Sequence, residues 1–277
     1  MQLIKDNDLA DLLTNAEADD LGILIDLITD SGNGRISLSS EVCSKLTSAK
    51  NSDKVDPECR ALIVEELRRF GGNSLANFLR GGDGISYKEI ASDVAKRVKA
   101  PHNAQHDCLT IEAAIISKVM EKSLEKMTEA ERATFFDSVG QTYIPGSGPA
   151  AIAGLLALVS STGILQMSAY IANATASSVI GRGLAYGAAA FAPNTAAALA
   201  GPIGWALAAI WTAYDLSSPA YRVTVPCVIQ IAYMRRKTLQ NPCIKCGAQL
   251  PVAAKFCSEC GQPQAEKPKL LNAICES

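Results

Sequence analysis

The stretch that decides the C-terminal fold is residues 242–261, which read PCIKCGAQLPVAAKFCSECG. It contains two Cys-x-x-Cys pairs, formed by Cys243, Cys246, Cys257 and Cys260, and a glycine follows each pair. Two residues between paired thiolates let one tight turn present both sulfurs to the same ion. The glycine lets the chain reverse direction without a Cβ clash. The spacing therefore predicts a small zinc ribbon.

Four thiolates arranged as a tetrahedron match the geometry and softness that Zn²⁺ prefers. Because four protein ligands leave no open position for water, the predicted Zn²⁺ is structural rather than catalytic. Residues 240–263 resemble the small zinc-ribbon domains of many bacterial proteins, including Pro242 before the first pair and Phe256 before the second. Lys245 and Lys255 are the only basic residues between the cysteines, so the sequence gives little support for nucleic-acid binding by the ribbon.

The middle of the chain is almost free of charge, since Arg182 is the only charged residue from Ser138 to Tyr214. A bilayer core about 30 Å thick needs about 20 predominantly apolar residues, and each half of this stretch is long enough. Gly183 and Gly187 form a G-x-x-x-G step, which permits close helix contact. The pattern predicts an apolar, Gly/Ala-rich helical hairpin that associates with a membrane.

The same composition is also compatible with a soluble protein. Ala and Gly contribute little transfer free energy, so these segments are weaker membrane candidates than leucine-rich spans. A helical hairpin buried at the centre of a soluble bundle is equally apolar on all sides. At the level of sequence, membrane association and a buried soluble core of residues 145–214 both remain open.

Residues 1–139 predict a series of short amphipathic helices, because apolar residues recur at helical spacing. Ser86 with Glu89, and Thr128 with Glu131, have the spacing of capping boxes at helix starts. No run of alternating residues indicates a sheet, so the predicted fold class is an all-α body. The predicted buried faces are formed by Leu9, Leu12 and Leu13; by Leu21, Leu24, Ile25 and Ile28; by Ile63, Leu67 and Phe70; and by Ile90, Val94 and Val98.

These patterns divide the chain into four segments. We predict an amphipathic helical domain at 1–139, the apolar membrane-associating helical region at 140–237, the zinc ribbon at 238–264 and a tail at 265–277. The N-terminus has no secretory signal pattern. Four of the nine cysteines belong to the ribbon and the other five are scattered, so reduced thiols in the cytoplasm are expected. The predicted location is at the cytoplasmic face of the inner membrane, or inserted in it.

No pattern in the sequence indicates an enzyme. His102 and His106 are the only histidines, and the neighbouring Pro101 and Asn103 favour a surface loop over a metal or catalytic site. The glycine-rich residues 146–148 lack the Lys-Ser or Lys-Thr that a phosphate-binding loop uses. We therefore predict no catalytic residue, no cofactor-binding residue and no small-molecule substrate.

Two blocks outside the ribbon resemble a bacterial family. The first block contains residues 70–74, 79–81, Tyr87, 93–94 and 96–97, and the second contains 220–226, 230–232 and 235–236. They resemble the YaaW family, which is grouped with ubiquinol–cytochrome c chaperone-like proteins, and the resemblance covers most of 1–237. This chain departs from the family in its longer apolar middle and its added ribbon. The family has no established biochemical activity, and its chaperone grouping implies a protein-binding role.

The sequence leads to one main hypothesis and two alternatives. The main hypothesis is a non-enzymatic, membrane-interacting bacterial protein, oligomeric or membrane-perturbing, whose structural zinc ribbon docks a partner. Its expected partners are membrane lipid and either another protein or a second copy of the chain. The first alternative is a soluble chaperone or adaptor whose apolar segment is a buried core. The second is nucleic-acid binding through the ribbon, although a net charge of −2 gives no electrostatic reason to expect it.

Overall fold

The computed structural model describes residues 7–71, 85–138, 141–158, 164–180 and 219–239. In the ribbon it describes 241–243, 245–246, 249–250, 255–257 and 259–264. The chain divides into two compact units, Met1–Tyr233 and Met234–Ser277. The predicted segment boundaries near 139, 237 and 264 stay predictions.

The described part of the first unit consists of α-helices and their connections, which confirms the predicted all-α body. A two-stranded antiparallel sheet lies in the second unit. The helices are α1 Asn7–Thr14, α2 Ala18–Thr29, α3 Ser40–Asn51, α4 Pro57–Gly71, α5 Tyr87–Val98, α6 Cys108–Lys126, α7 Glu129–Ser138, α8 Gly148–Leu158, α9 Ile164–Ile180 and α10 Pro219–Thr238; the strands are β1 Asn241–Pro242 and β2 Gln249–Leu250.

Both predicted capping boxes form at helix starts. Before α5, Ser86 Oγ accepts a hydrogen bond from the Glu89 backbone N–H at 3.3 Å, and Glu89 Oε2 accepts one from the Ser86 N–H at 3.0 Å. Before α7, Thr128 and Glu131 make the same reciprocal pair, at 3.3 and 2.8 Å. These bonds satisfy N–H groups that have no partner within the helix. They place both helix starts where the sequence predicted them.

The predicted apolar faces are buried in the first unit. Helix α2 contacts α3, α4 and α9, while α6 contacts α5, α8 and α9. Helices α4 and α5 approach so closely that a Cβ atom built on Gly71 lies 2.4 Å from Ile90 Cγ1. The body is therefore held together by apolar side chains that meet between neighbouring helices.

Helix α9 belongs to the apolar middle of the sequence, yet it lies inside this body. All side chains from Met167 to Ala172 are buried, and the Tyr170 ring packs edge-to-face on Phe135 with centroids 5.7 Å apart. The buried Thr175 hydroxyl donates to the Ile171 carbonyl oxygen at 2.6 Å, so it needs no partner outside the helix. Residues 167–172 and 174–176 of α9 are thus core residues of the first unit.

Helix α8, in the same apolar stretch, has one face buried and one face exposed. Ile152 and Leu155 are buried, whereas Ala153 and Gly154 are exposed, and Ile144 just before the helix is 67 % exposed. Among the helices that the structure describes, none combines the length and apolarity that a bilayer crossing requires. The second half of the predicted hairpin, with Gly183 and Gly187, lies outside the described residues.

Helix α10 contains a proline in its interior. It starts at Pro219 and continues through Pro226 to Thr238. A proline inside a helix removes one backbone hydrogen bond. The side chains from Val223 to Tyr233 are all buried, and their burial offsets that loss. Tertiary packing therefore stabilises α10 despite the proline in its interior.

Candidate metal centre

Each Cys-x-x-Cys pair lies in a tight turn between two short extended segments. The first turn connects β1 and β2, which pair antiparallel with Pro242 opposite Gln249. In the second, the Cys257 N–H donates to the Gln262 carbonyl oxygen at 2.9 Å, and the Gly261 N–H donates to the Cys257 carbonyl oxygen at 3.0 Å. Gly261 has φ +69°, the left-handed conformation expected of the glycine after a pair.

The two turns repeat one hydrogen bond to sulfur. The Lys245 N–H donates to Cys243 Sγ, and the Glu259 N–H donates to Cys257 Sγ, both at 3.4 Å. In each pair the first cysteine therefore accepts from the backbone two residues later. The two turns therefore share this hydrogen bond to the first sulfur of each pair.

The four sulfur atoms of the cysteine cluster lie within 4.8 Å of one another. Cys243 Sγ is 3.5 Å from Cys260 Sγ, and Cys246 Sγ is 3.6 Å from Cys257 Sγ. The sulfurs of a disulfide are about 2.05 Å apart, so no disulfide joins Cys243 to Cys260 or Cys246 to Cys257. Four sulfurs at about 2.3 Å from a central Zn²⁺ are about 3.8 Å apart in a tetrahedron. The separations therefore fit a tetrahedral thiolate site.

Two thiols of the cluster have pKa values shifted in opposite directions. Burial raises the pKa of Cys243, but hydrogen bonds from the Cys246 and Lys245 backbone and from neighbouring thiols lower it to about 6 overall. The Gln262 N–H lowers the pKa of Cys260, whereas burial and the other three cysteines raise it to about 12. Cys243 therefore loses its proton more readily than Cys260. Four thiolates together would need the positive charge of a divalent ion.

Gln264 supports the site from outside the cysteine motif. Its side-chain Nε2 donates to Cys243 Sγ at 3.4 Å and to the Gln262 carbonyl oxygen at 2.7 Å. Its backbone N–H donates to the Lys255 carbonyl oxygen at 2.8 Å, which fixes the position of Gln264. Such outer hydrogen bonds orient a metal-ligating sulfur. Gln264 was not predictable from the sequence, because the cysteine spacing carries no information about it.

The two histidines do not form a site of this kind. They lie in the connection between α5 and α6, as predicted, where His102 Nδ1 is 3.0 Å from the Ala100 carbonyl oxygen and His106 Nε2 is 2.8 Å from Asn103 Nδ2. Within the described parts of the chain, the four cysteines are the one group of His, Cys, Asp or Glu side chains arranged to hold a metal ion.

Comparisons with known proteins place the chain among bacterial relatives of one family. No family model matches it, and no solved structure matches it. A UPF0174 protein of Helicobacter pylori strain J99 is 33 % identical over 85 % of this chain and 93 % of the relative. The UPF0174 protein YaaW of Escherichia coli strain K12 is 30 % identical over 84 % of this chain and 95 % of the relative. A UPF0174 protein of Helicobacter pylori strain 26695 is 35 % identical over 63 % of this chain and 87 % of the relative.

Proposed function

The chain belongs to the UPF0174 family, and from that premise we propose that it is a non-enzymatic adaptor whose ribbon holds one structural Zn²⁺ and docks a protein partner. The observation that carries this proposal is the convergence of four cysteine sulfurs within 4.8 Å. Thiolates select soft or borderline ions, and a closed tetrahedron of four sulfurs suits Zn²⁺.

The residues of the ribbon have distinct tasks in this proposal. The four sulfurs bind the ion, while the Lys245 and Glu259 N–H groups and Gln264 hold the buried sulfurs Cys243 and Cys257 in place. Bound Zn²⁺ supplies folding free energy to a module that is too small to have its own apolar core. Four protein ligands leave no coordination position for water or a substrate, so the proposed role includes no catalysis at the metal.

Phe256 is the ribbon residue best suited to anchor a partner. Its side chain is 65 % exposed, and it directly precedes the metal-ligand position Cys257. Exposed aromatic side chains on a rigid module are frequent anchors at protein interfaces. The buried residues 167–172 of α9 support the adaptor role, since they belong to the core of the helical body.

A pair of single variants tests the metal role. Cys257→Ser removes one buried ligand, whereas Cys108→Ser removes a thiol of α6 outside the ribbon. We expect Cys108→Ser to keep one zinc per chain by elemental analysis, and Cys257→Ser to lose it and become cleavable by protease within the ribbon. If elemental analysis finds iron instead of zinc, the metal assigned to the site is wrong. If the two variants are equally resistant to protease, the metal has no structural role.

Photo-crosslinking tests the docking role in the full-length chain. A photoreactive amino acid at Phe256 is expected to give one discrete crosslinked product in cells, and chelation of zinc should abolish it. The matched position is Thr134, an exposed residue of α7. A pattern of products that is the same from both positions contradicts docking through the ribbon.

The exposed side of α8 favours a second candidate function, which is association with the cytoplasmic face of the inner membrane. Ile144 is 67 % exposed next to a helix with no charged residue, and exposed apolar surface of this kind suits a lipid interface. The test is flotation of the full-length chain with bacterial-lipid vesicles, before and after an alkaline carbonate wash.

A matched pair of variants makes the flotation test specific. Ile144→Glu is expected to abolish flotation, whereas Ile36→Glu, at a fully exposed position between α2 and α3, should leave it unchanged. Equal effects of the two variants refute a role for the α8 region. A wild-type chain that stays with the soluble fraction leaves the adaptor role as the function of the protein.

A further inference from the structure

The four cysteine ligands are not equally accessible, and we infer that Cys246 is a modification site at which a hydroperoxide oxidises the ribbon, with Cys257 as the thiol that completes the reaction. The inference rests on the proposed zinc site. Its observations are the exposure of each cysteine residue and the 3.6 Å separation of Cys246 Sγ from Cys257 Sγ.

The exposure of the four cysteine residues decides which of them reacts first. Cys243 and Cys257 are each 4 % exposed and Cys260 is half-buried, whereas Cys246 is exposed. A peroxide must approach a thiolate directly, so oxidation selects accessible thiolates over buried ones. Zinc ligation keeps Cys246 in the thiolate form on the surface of the ribbon. Cys246 is therefore the first of the four to be attacked.

The short distance between Cys246 Sγ and Cys257 Sγ favours a disulfide between them as the next step. Cys257 Sγ lies 3.6 Å from Cys246 Sγ, in the other of the two turns. A disulfide requires about 2.05 Å, so the sulfurs must approach by roughly 1.5 Å, which small movements of the two turns provide. The product is a disulfide that connects one Cys-x-x-Cys pair to the other.

One hydroperoxide supplies the oxidant for the whole reaction, which removes two electrons from the two thiolates. The Cys246 thiolate attacks a peroxide oxygen, so an S–O bond forms, the O–O bond breaks and hydroxide leaves, which gives a sulfenic acid. The Cys257 thiolate then attacks Cys246 Sγ, so an S–S bond forms, the S–O bond breaks and a second hydroxide leaves. Two thiolates lose two electrons, and the peroxide is reduced by two electrons.

Oxidation has a structural consequence for the ribbon. The site loses two of its four ligands and releases the ion, and with it the folding free energy that the ion supplies. Phe256 lies directly before Cys257. Loss of the metal therefore disrupts the surface proposed to dock a partner, and a hydroperoxide detaches the partner from the ribbon.

The first experiment uses the zinc-loaded full-length chain with Cys108→Ser and Cys275→Ser, which remove competing thiols; Cys275 lies outside the described residues. Hydrogen peroxide is added below one equivalent, zinc release is followed with a chromophoric chelator, and the cysteines are mapped by mass spectrometry. We expect zinc release in proportion to a Cys246–Cys257 disulfide. First modification at Cys243, Cys257 or Cys260, or a first disulfide within one Cys-x-x-Cys pair, overturns the inference.

A second experiment compares Cys246→His with Cys260→His, since imidazole replaces a thiolate as a zinc ligand and resists peroxide. Cys246→His is expected to slow peroxide-driven zinc release roughly tenfold, and Cys260→His to leave the rate near that of wild type. Equal rates in the two variants refute the role of Cys246. If either variant fails to hold zinc, the mass-spectrometric map decides alone.

The two levels of the proposal fail in different ways. Zinc content is measured before any oxidant is added, so a zinc-free preparation contradicts the proposed function itself. A zinc-loaded protein whose peroxide-driven release does not begin at Cys246 leaves the structural zinc intact and overturns only the inference about oxidation.

Discussion

At the scale of single residues, the helical body pairs two buried polar side chains from different helices. The Tyr87 hydroxyl on α5 donates to Glu112 Oε1 on α6 at 2.7 Å, and both side chains are 0 % exposed. A buried carboxylate is costly unless it accepts hydrogen bonds. This pair therefore connects two helices through a polar contact inside an apolar core.

Removing the Tyr87 hydroxyl should destabilise the body. Tyr87→Phe takes one donor from the buried Glu112 carboxylate, so we expect a loss of about 1–3 kcal/mol in the free energy of unfolding, measured by urea denaturation with circular dichroism. Tyr143→Phe is the matched control, because the Tyr143 hydroxyl accepts a bond from the partly exposed Arg132 at 3.2 Å. A loss from Tyr87→Phe no larger than that from Tyr143→Phe contradicts the importance of the buried pair.

Local spacing made the cysteine cluster predictable, because two residues between thiolates already define a turn. The supporting role of Gln264 and the Tyr87–Glu112 pair were not predictable in the same way. The partners in each contact are about 20 residues apart or more, and they meet only once the chain has folded. The sequence shows which residues are chemically able to pair, but the packing selects the pairs that form.

At the scale of secondary-structure elements, the contact between α4 and α5 has no room for a larger residue. A Cβ atom on Gly71 lies 2.4 Å from Ile90 Cγ1, whereas a Cβ atom on Gly154 of α8 meets nothing within 4 Å. Gly71→Ala should therefore destabilise the protein by about 1–3 kcal/mol. Gly154→Ala, the matched control, should stabilise it by up to about 1 kcal/mol, because alanine is the better helix former. Thermal unfolding followed by far-ultraviolet circular dichroism compares the two variants. An unchanged melting temperature for Gly71→Ala contradicts the close contact.

The start of α4 should contribute a pH-dependent stability. Asp56 Oδ1 accepts the Cys59 backbone N–H at 2.7 Å, and this bond lowers the pKa of Asp56. Because the folded-state pKa is lowered, the contribution is present above the unfolded-state pKa of about 3.9 and is lost as pH falls through the folded-state pKa. Asp56→Asn should therefore lower the melting temperature at pH 7, and the difference from wild type should shrink in acid.

The control for Asp56 is a helix cap without a charge. Ser39 Oγ accepts a hydrogen bond from the Val42 backbone N–H at 3.2 Å before α3. Ser39→Ala should therefore lower the free energy of unfolding by about 0.5–2 kcal/mol, both at pH 7 and in acid. A destabilisation by Asp56→Asn that is as constant with pH as that of Ser39→Ala contradicts the electrostatic explanation.

Two helix starts were predictable from sequence, because a pair of residues three apart has the spacing of a capping box. Ser86 with Glu89 and Thr128 with Glu131 are the examples. The environment of α9 was not predictable, because an apolar helix rich in alanine satisfies a bilayer and a protein core equally well. The contacts of α9 with α2 and α6 are what make it a core helix.

At the scale of the whole molecule, the chain consists of a helical unit and a smaller unit that contains the ribbon. The apolar side chains buried in the first unit give it a core of its own, whereas the buried cluster among the described ribbon residues consists of Cys243 and Cys257, with Cys260 packed against it. The stability of the two units should therefore depend on different conditions. In the proposed function, the bound Zn²⁺ is the main stabilising element of the ribbon, whereas apolar burial stabilises the body.

Chelation should separate the two units experimentally. Removing the metal with a strong chelator is expected to leave the helical circular dichroism of the chain nearly unchanged, while protease begins to cleave within residues 241–264. Adding zinc back should restore protection. A large loss of helical signal on chelation contradicts independent stabilisation of the body.

The most direct test of a closed four-thiolate zinc site is X-ray absorption at the zinc edge of the purified full-length protein. We predict one zinc per chain, with four sulfur neighbours at about 2.3 Å and no nitrogen or oxygen neighbour. A spectrum with an oxygen or nitrogen ligand, or a folded protein without stoichiometric zinc, would contradict the structural zinc ribbon.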